Sequence, residues 1–246
     1  MPRYKLIIEY DGTPYSGWQR QQAGVESVQE TLEVAFSQFA DAPVEVQCAG
    51  RTDAGVHATG QVAHVDLPKP RQPFTICEGL NRILLPHPIV IVKAEEVTDE
   101  FHARFDAKTR HYEYLIVNRS SRLALDEFRA WYVFRKLDLD AMREGAKHLL
   151  GHHDFTSFRA QHCQSKSPEK TLDQLEFKRE GDRVIVTTSA KSFLHHQVRN
   201  MVGSLVLVGS GKWQPDDIKK ALDAKDRQAA GPAAPAHGLY LTRVEY

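Results

Sequence analysis

Several things are scarce in this chain. Cys48, Cys77 and Cys163 are its three cysteines in 246 residues, odd in number and far apart. That excludes a disulfide framework and fits a reducing compartment. Net charge is missing altogether, with 32 basic residues against 32 acidic ones. The whole-molecule field therefore does nothing to attract a polyanion, and a nucleic-acid partner would have to be held by local clusters. No apolar run approaches a membrane span. The opening MPRYKLIIEYDG carries charge from Arg3 and lacks the apolar segment of a signal peptide. A cytoplasmic protein with no membrane partner is expected.

Metal and nucleotide motifs are also wanting. His152-His153, His162-Cys163 and His195-His196 have neither CxxC nor HExxH spacing, so no metal site is expected. Gly209-Ser210-Gly211-Lys212 falls short of a phosphate loop, because Val206 stands at the first glycine position and Trp213 follows the lysine. It suits a helix end capped by glycine.

What is present is a globular composition, 41% hydrophobic and 26% charged. That is enough for one large domain or two small ones. Tyr4 to Tyr10 is expected as a strand, ended by the turn residues Asp11-Gly12-Thr13-Pro14. Ser27-Val28-Gln29-Glu30 has a capping-box pattern, and Val28, Leu32, Ala35, Phe36 and Phe39 follow at helical spacing, so a helix spans 27–39. Strands are expected near 43–49, 60–66 and 89–97, with a helix over 73–84. A second half repeats the order: a strand over 110–117, a helix over 139–150, a hairpin of 172–177 with 184–188, helices over 192–208 and 215–222, and a last strand over 239–245. This predicts an α+β class with mainly antiparallel sheet and helices on one side. It also hints at duplication of architecture, with domains 1–105 and 106–246.

Chemistry is densest in Ala49-Gly50-Arg51-Thr52-Asp53-Ala54-Gly55-Val56-His57-Ala58. One carboxylate, one guanidinium and one imidazole lie together among glycines, which let backbone approach a ligand closely. Asp53 follows a strand-like run, a common place for a catalytic group. The same residues also suit a plain turn in which Asp caps its own backbone. Basic residues gather in three segments. Lys191, Arg199 and Lys212 have no acid among them; Arg104, Lys108 and Arg110 outweigh Asp106; Arg159, Lys166 and Lys170 outweigh Glu169. They form a basic surface only if they converge, and are otherwise solvated charge. On the helix expected over 192–208, Arg199 falls beside an apolar stripe of Leu194, Val198, Met201, Leu205 and Val208. A half-buried arginine there needs a carboxylate partner.

The run GRTDAGVHATGQVAH, residues 50 to 64, resembles the signature of the tRNA pseudouridine synthase A family. Ile8 to Gly12, Gly17 to Gln21, Phe101 to Phe105, Arg110 to Tyr114, Asp154 to Phe158, Phe193 to Asn200 and Gly238 to Leu241 match further family segments in order. The chain stops at Tyr246, where some relatives carry a further tail. The resemblance implies the pseudouridine synthase fold, with two similar α/β halves and an active-site cleft between them. It implies isomerisation of uridine to pseudouridine at positions 38, 39 and 40 of the tRNA anticodon stem-loop, by a homodimer that flips the nucleotide out. No cofactor and no metal are implied. Asp53 takes the catalytic role, and Arg199 pairs with it. Tyr112, on a strand it shares with Tyr114, stacks on the base. Leu239 packs against the other side of the uracil pocket, and Arg51 and His57 contact the vacated space or its phosphates. Two other classes stay open: an RNA-binding module on the same fold without catalysis, and a metal-dependent hydrolase built on Asp53, Asp154 and the histidines.

Overall fold

A computed structural model describes every residue except Ala23, His162 and Gln164. The His162–Cys163 pair therefore lies partly outside the described residues. The chain divides into two compact units, Met1–Arg110 with Tyr240–Tyr246, and His111–Leu239.

In the first unit, β1 (Arg3–Tyr10), β3 (His57–Asp66) and β4 (Ile89–Val97) are joined by α1 (Val28–Ala40), the short β2 (Gln47–Cys48) and α2 (Pro73–Ile83). β1 lies between β4 and β3, antiparallel to both. Its Tyr4, Leu6, Ile8 and Tyr10 are buried while Arg3, Lys5, Ile7 and Glu9 are more open, as a one-faced strand requires. Ser27 caps α1, its Oγ accepting the Glu30 N–H at 3.3 Å. β2 is shorter than the expected 43–49. The Val44 N–H donates to Ser37 Oγ and the Val46 N–H to Glu33 Oε1, both at 3.2 Å, so side chains of α1 take amides that a strand neighbour would otherwise take. Glu33 is itself buried and ion-pairs with Arg20 at 2.7 Å.

The second unit holds β5 (Thr109–Asn118, its first two residues grouped with the first unit), β6 (Trp131–Val133), α3 (Leu139–Lys147), β7 (Gly151–Asp154), β8 (Glu169–Glu180), β9 (Arg183–Ala190), α4 (Gln197–Gly209) and α5 (Pro215–Ala224). The sheet runs β5-β9-β8-β7, and β6 pairs β5 in parallel. The β8–β9 hairpin forms across Gly181 as expected. β6 and β7 are additions, too short to show a period. α4 starts at Gln197, five residues later than the helix expected from 192. His196 has φ 63°, and the Leu194 N–H donates to Gln197 Oε1 at 2.8 Å, which closes a turn before the helix. His195, and Leu194 of the expected apolar stripe, therefore lie outside the helix.

The last strand, β10 (Leu239–Glu245), runs parallel to β3, with Tyr240 opposite His57. Its residues from Tyr240 onward group with the first unit, so the two halves are not a single cut at 105/106. The α+β class with mainly antiparallel sheet holds, and β3–β10 and β5–β6 pair in parallel.

Candidate active site

Asp53 sits in the loop between β2 and β3, half-buried, with Arg51 and Ala54 exposed beside it. The loop is fastened to the segment that follows β1. The Trp18 N–H donates to the Thr52 carbonyl at 3.0 Å, and the Gly55 N–H to the Tyr15 carbonyl at 3.3 Å. Tyr10 Oη and Thr52 Oγ1 share a hydrogen bond of 2.8 Å, and Gln61 Nε2 donates to the Gly50 carbonyl at 2.7 Å. The Val56 N–H closes a turn on the Asp53 carbonyl at 3.1 Å, and Gly55 takes φ 74°, open to glycine at no steric cost. Two approaches demand glycine on the facing segment: a Cβ on Gly12 would lie 2.0 Å from the Val56 carbonyl oxygen, and one on Gly17 would lie 2.8 Å from that of Thr52. Asp53 is thus presented on backbone held from both sides, which is what positioning a reacting group requires.

His57 supports the same junction. The Gly12 N–H donates to its Nδ1 at 3.0 Å, and its ring stacks on Tyr240 with centroids 4.7 Å apart. Asp11 Oδ1 stands 3.1 Å from the same nitrogen and accepts the Thr13 N–H at 2.9 Å. His57, with 3% of its surface exposed, braces the loop. Sequence reasoning singled out no role for Tyr10, Gly12, Gly17 or Gln61. Their only signal was membership of the segments quoted above.

In the second unit, Tyr112 and Tyr114 differ although they share a strand face. Tyr114 is 0% exposed and donates its hydroxyl to the Pro235 carbonyl at 2.7 Å. Burial pushes its pKa far up, with the Arg199 guanidinium pulling the other way. Tyr112 is half-buried and meets Phe193 edge-on, with centroids 5.2 Å apart. Tyr114 is the core aromatic, and Tyr112 keeps surface. Arg199 is half-buried on α4, as expected from its position beside the apolar stripe. Its Nε donates to the Ala234 carbonyl at 2.9 Å, and its own carbonyl accepts the Ala234 N–H at 3.0 Å. Leu239 is buried, and a Cβ on the preceding Gly238 would stand 2.6 Å from Tyr114 Cζ. His152 and His153 succeed one another on β7, turning to Thr171 Oγ1 at 3.2 Å and the Leu150 carbonyl at 2.7 Å.

Comparison with known proteins gives one consistent answer. A family model described as tRNA pseudouridine synthase matches residues 6–106 and 146–246. The chain is 58% identical over 246 residues to tRNA pseudouridine synthase A of Paramagnetospirillum magneticum, covering 100% of this chain and 96% of the relative. It is likewise 58% identical to the proteins of that name from Xanthobacter autotrophicus and Afipia carboxidovorans, covering 100% of each. Against a solved Cbf5-Nop10-Gar1 complex the TM-score is 0.41 at 11% identity, over 97% of this chain and 49% of that one.

Proposed function

This chain belongs to the tRNA pseudouridine synthase family, and from that premise we propose that it isomerises uridine to pseudouridine at positions 38, 39 and 40 of the tRNA anticodon stem-loop, with Asp53 as the catalytic carboxylate. The observation that carries the assignment is the loop itself: a carboxylate on backbone clamped by Gly12, Tyr15 and Trp18, with an exposed arginine two residues away.

The reaction breaks the bond from ribose C1′ to uracil N1 and forms one from C1′ to C5. The C5 proton leaves, and N1 gains a proton. Nothing is added or removed overall, so neither a redox group nor an energy source is called for. One carboxylate serves as nucleophile and proton carrier. A stacked uridine is out of reach, so the nucleotide is flipped from the helix. Tyr112 is assigned to the flipped base because, unlike Tyr114, it keeps surface. Leu239 is assigned to the uracil pocket, Arg51 to phosphates at the vacated position, and Arg199 to keeping Asp53 ionised, these three on the family resemblance. The protein acts as a cytoplasmic homodimer that binds tRNA across both copies. Among the described residues no helix is long and apolar enough to cross a membrane.

The test is to incubate the protein with an unmodified tRNA transcript bearing uridines at 38, 39 and 40. Pseudouridines are then located by carbodiimide labelling and reverse-transcription stops. New stops at those positions support the reading; stops only elsewhere in the tRNA would overturn the choice of target. A fully active monomer by light scattering would overturn the dimer.

A further inference from the structure

The segment Phe101-His102-Ala103-Arg104-Phe105 has no role in the reading above. It ends in two large exposed side chains. Phe105 is 73% exposed, and the Arg104 guanidinium stands 5.8 Å from its ring centroid. The backbone beneath them is held at nearly every residue. His102 Nδ1 accepts the Arg104 N–H at 3.1 Å and the Phe105 N–H at 3.4 Å. The His102 N–H donates to Asp106 Oδ2 at 2.7 Å, and the Asp106 N–H returns to the His102 carbonyl at 3.1 Å. The Ala103 N–H donates to the buried His64, while the Ala103 carbonyl accepts from the Tyr246 hydroxyl at 2.8 Å. Buried Arg110 donates to the Arg104 carbonyl at 2.7 Å, and also to those of Ala107 and Ala49. The His102 ring lies against the Phe105 ring, with centroids 4.3 Å apart. An aromatic ring left in water is thus mounted on a turn with little freedom to yield.

Arg104 and Lys108 are exposed here, beside the exposed acids Asp99, Glu100 and Asp106, and Asp106 accepts the His102 N–H. Arg51 and Arg104 both act on the Cys48 thiol, against the burial that pushes its pKa up to about 12. The two guanidiniums therefore lie within electrostatic reach of one sulfur. Arg110 Nη2 donates to the Ala49 and Arg104 carbonyls alike, each at 2.7 Å, so this turn lies beside the start of the Asp53 loop.

We propose that Arg104 and Phe105 form a fixed RNA contact, the guanidinium taking a backbone phosphate and the ring stacking on an exposed base of the tRNA other than the target uridine. This rests on the reading of the chain as acting on tRNA. Arginine suits phosphate, and aromatic rings stack on any base. Arginine and aromatic rings also suit protein interfaces, and the mass measurement below separates a second protein copy from RNA.

The experiment measures binding of labelled full-length tRNA by anisotropy across a salt series, beside tritium release from tRNA labelled at uracil C5. Phe105→Ala should raise Kd and KM together by about tenfold, with kcat changed far less and the salt slope kept. Phe105→Trp should restore Kd. Arg104→Ala should lower the salt slope by about one counterion. Leu85→Ala, another exposed apolar residue, serves as control and should change neither constant. An unchanged Kd in Phe105→Ala, a loss that Trp does not restore, or a loss of oligomer mass at constant Kd would each overturn the proposal; the last would put the ring between protein copies. Wild type that binds tRNA but releases no tritium would instead sink the isomerase reading, with the binding comparison still decisive for Phe105.

Discussion

Gly12 has no room for a side chain, since a methyl would stand 2.0 Å from the Val56 carbonyl oxygen. Gly12→Ala must push the Asp53 loop away. A displacement of about 1 Å in a positioned group costs on the order of 100-fold in rate, so kcat should fall by about that factor with the protein still folded by circular dichroism. An unchanged kcat would show that the clamp does not position Asp53. His64 makes a second, separate prediction. It is buried, accepts the Ala103 N–H, and burial, ahead of the charges of Arg3 and His102, holds its pKa down at about 4. The unfolded chain takes up this proton near pH 6.5 and the folded one only near 4, so its contribution to stability is present above 6.5 and lost as pH falls through that window. His64→Gln should flatten the decline of Tm between those pH values; a decline as steep as wild type would remove His64 as its cause. At this scale the sequence was partly legible. Asp53 stood out because charge and glycine crowd around it. Gly12 did not, because its constraint is a carbonyl far along the chain. Tyr112 and Tyr114 looked alike because strand period reports the face a residue shares, not how deeply it is covered.

Among the elements, the long periodic ones were the easiest to foresee. β1, α1, α2, β4, β5 and β10 fall within about two residues of expectation. The misplacements have local causes. β2 shrinks because Ser37 and Glu33 take its amides, and α4 begins late because His196 turns left-handed. Neither competition can be seen in hydrophobic spacing. α4 also shows how an element carries a candidate site residue. Gly203 faces the segment 231–236, where an added Cβ would stand 1.8 Å from the Pro232 carbonyl oxygen. That segment holds Ala234, which exchanges two hydrogen bonds with Arg199. Alanine in a helix interior ordinarily stabilises by up to about 1 kcal/mol relative to glycine. Here the overlap should cost roughly 1–3 kcal/mol and lower Tm by about 3–10 °C. A higher Tm for Gly203→Ala would show that α4 and the segment are not packed this closely.

For the whole molecule, the class of fold was readable from the alternation of strands and helices, whereas the return of the last strand to the first unit was not. That pairing joins Tyr240 to His57, far apart along the chain, and nothing in local pattern announces it. The neutral charge of the chain was a poor guide as well. What matters is where cations sit. Arg110, counted in a basic segment, is buried against carbonyl oxygens, while Arg51, Arg104 and Lys108 are exposed. The central claim is that a family member of this composition rearranges uridine with one carboxylate. Its most direct test is tritium release from tRNA labelled at uracil C5, comparing wild type with Asp53→Ala. The account predicts release by wild type and none by Asp53→Ala, with tRNA affinity retained. Release by Asp53→Ala at a rate near that of wild type would contradict it.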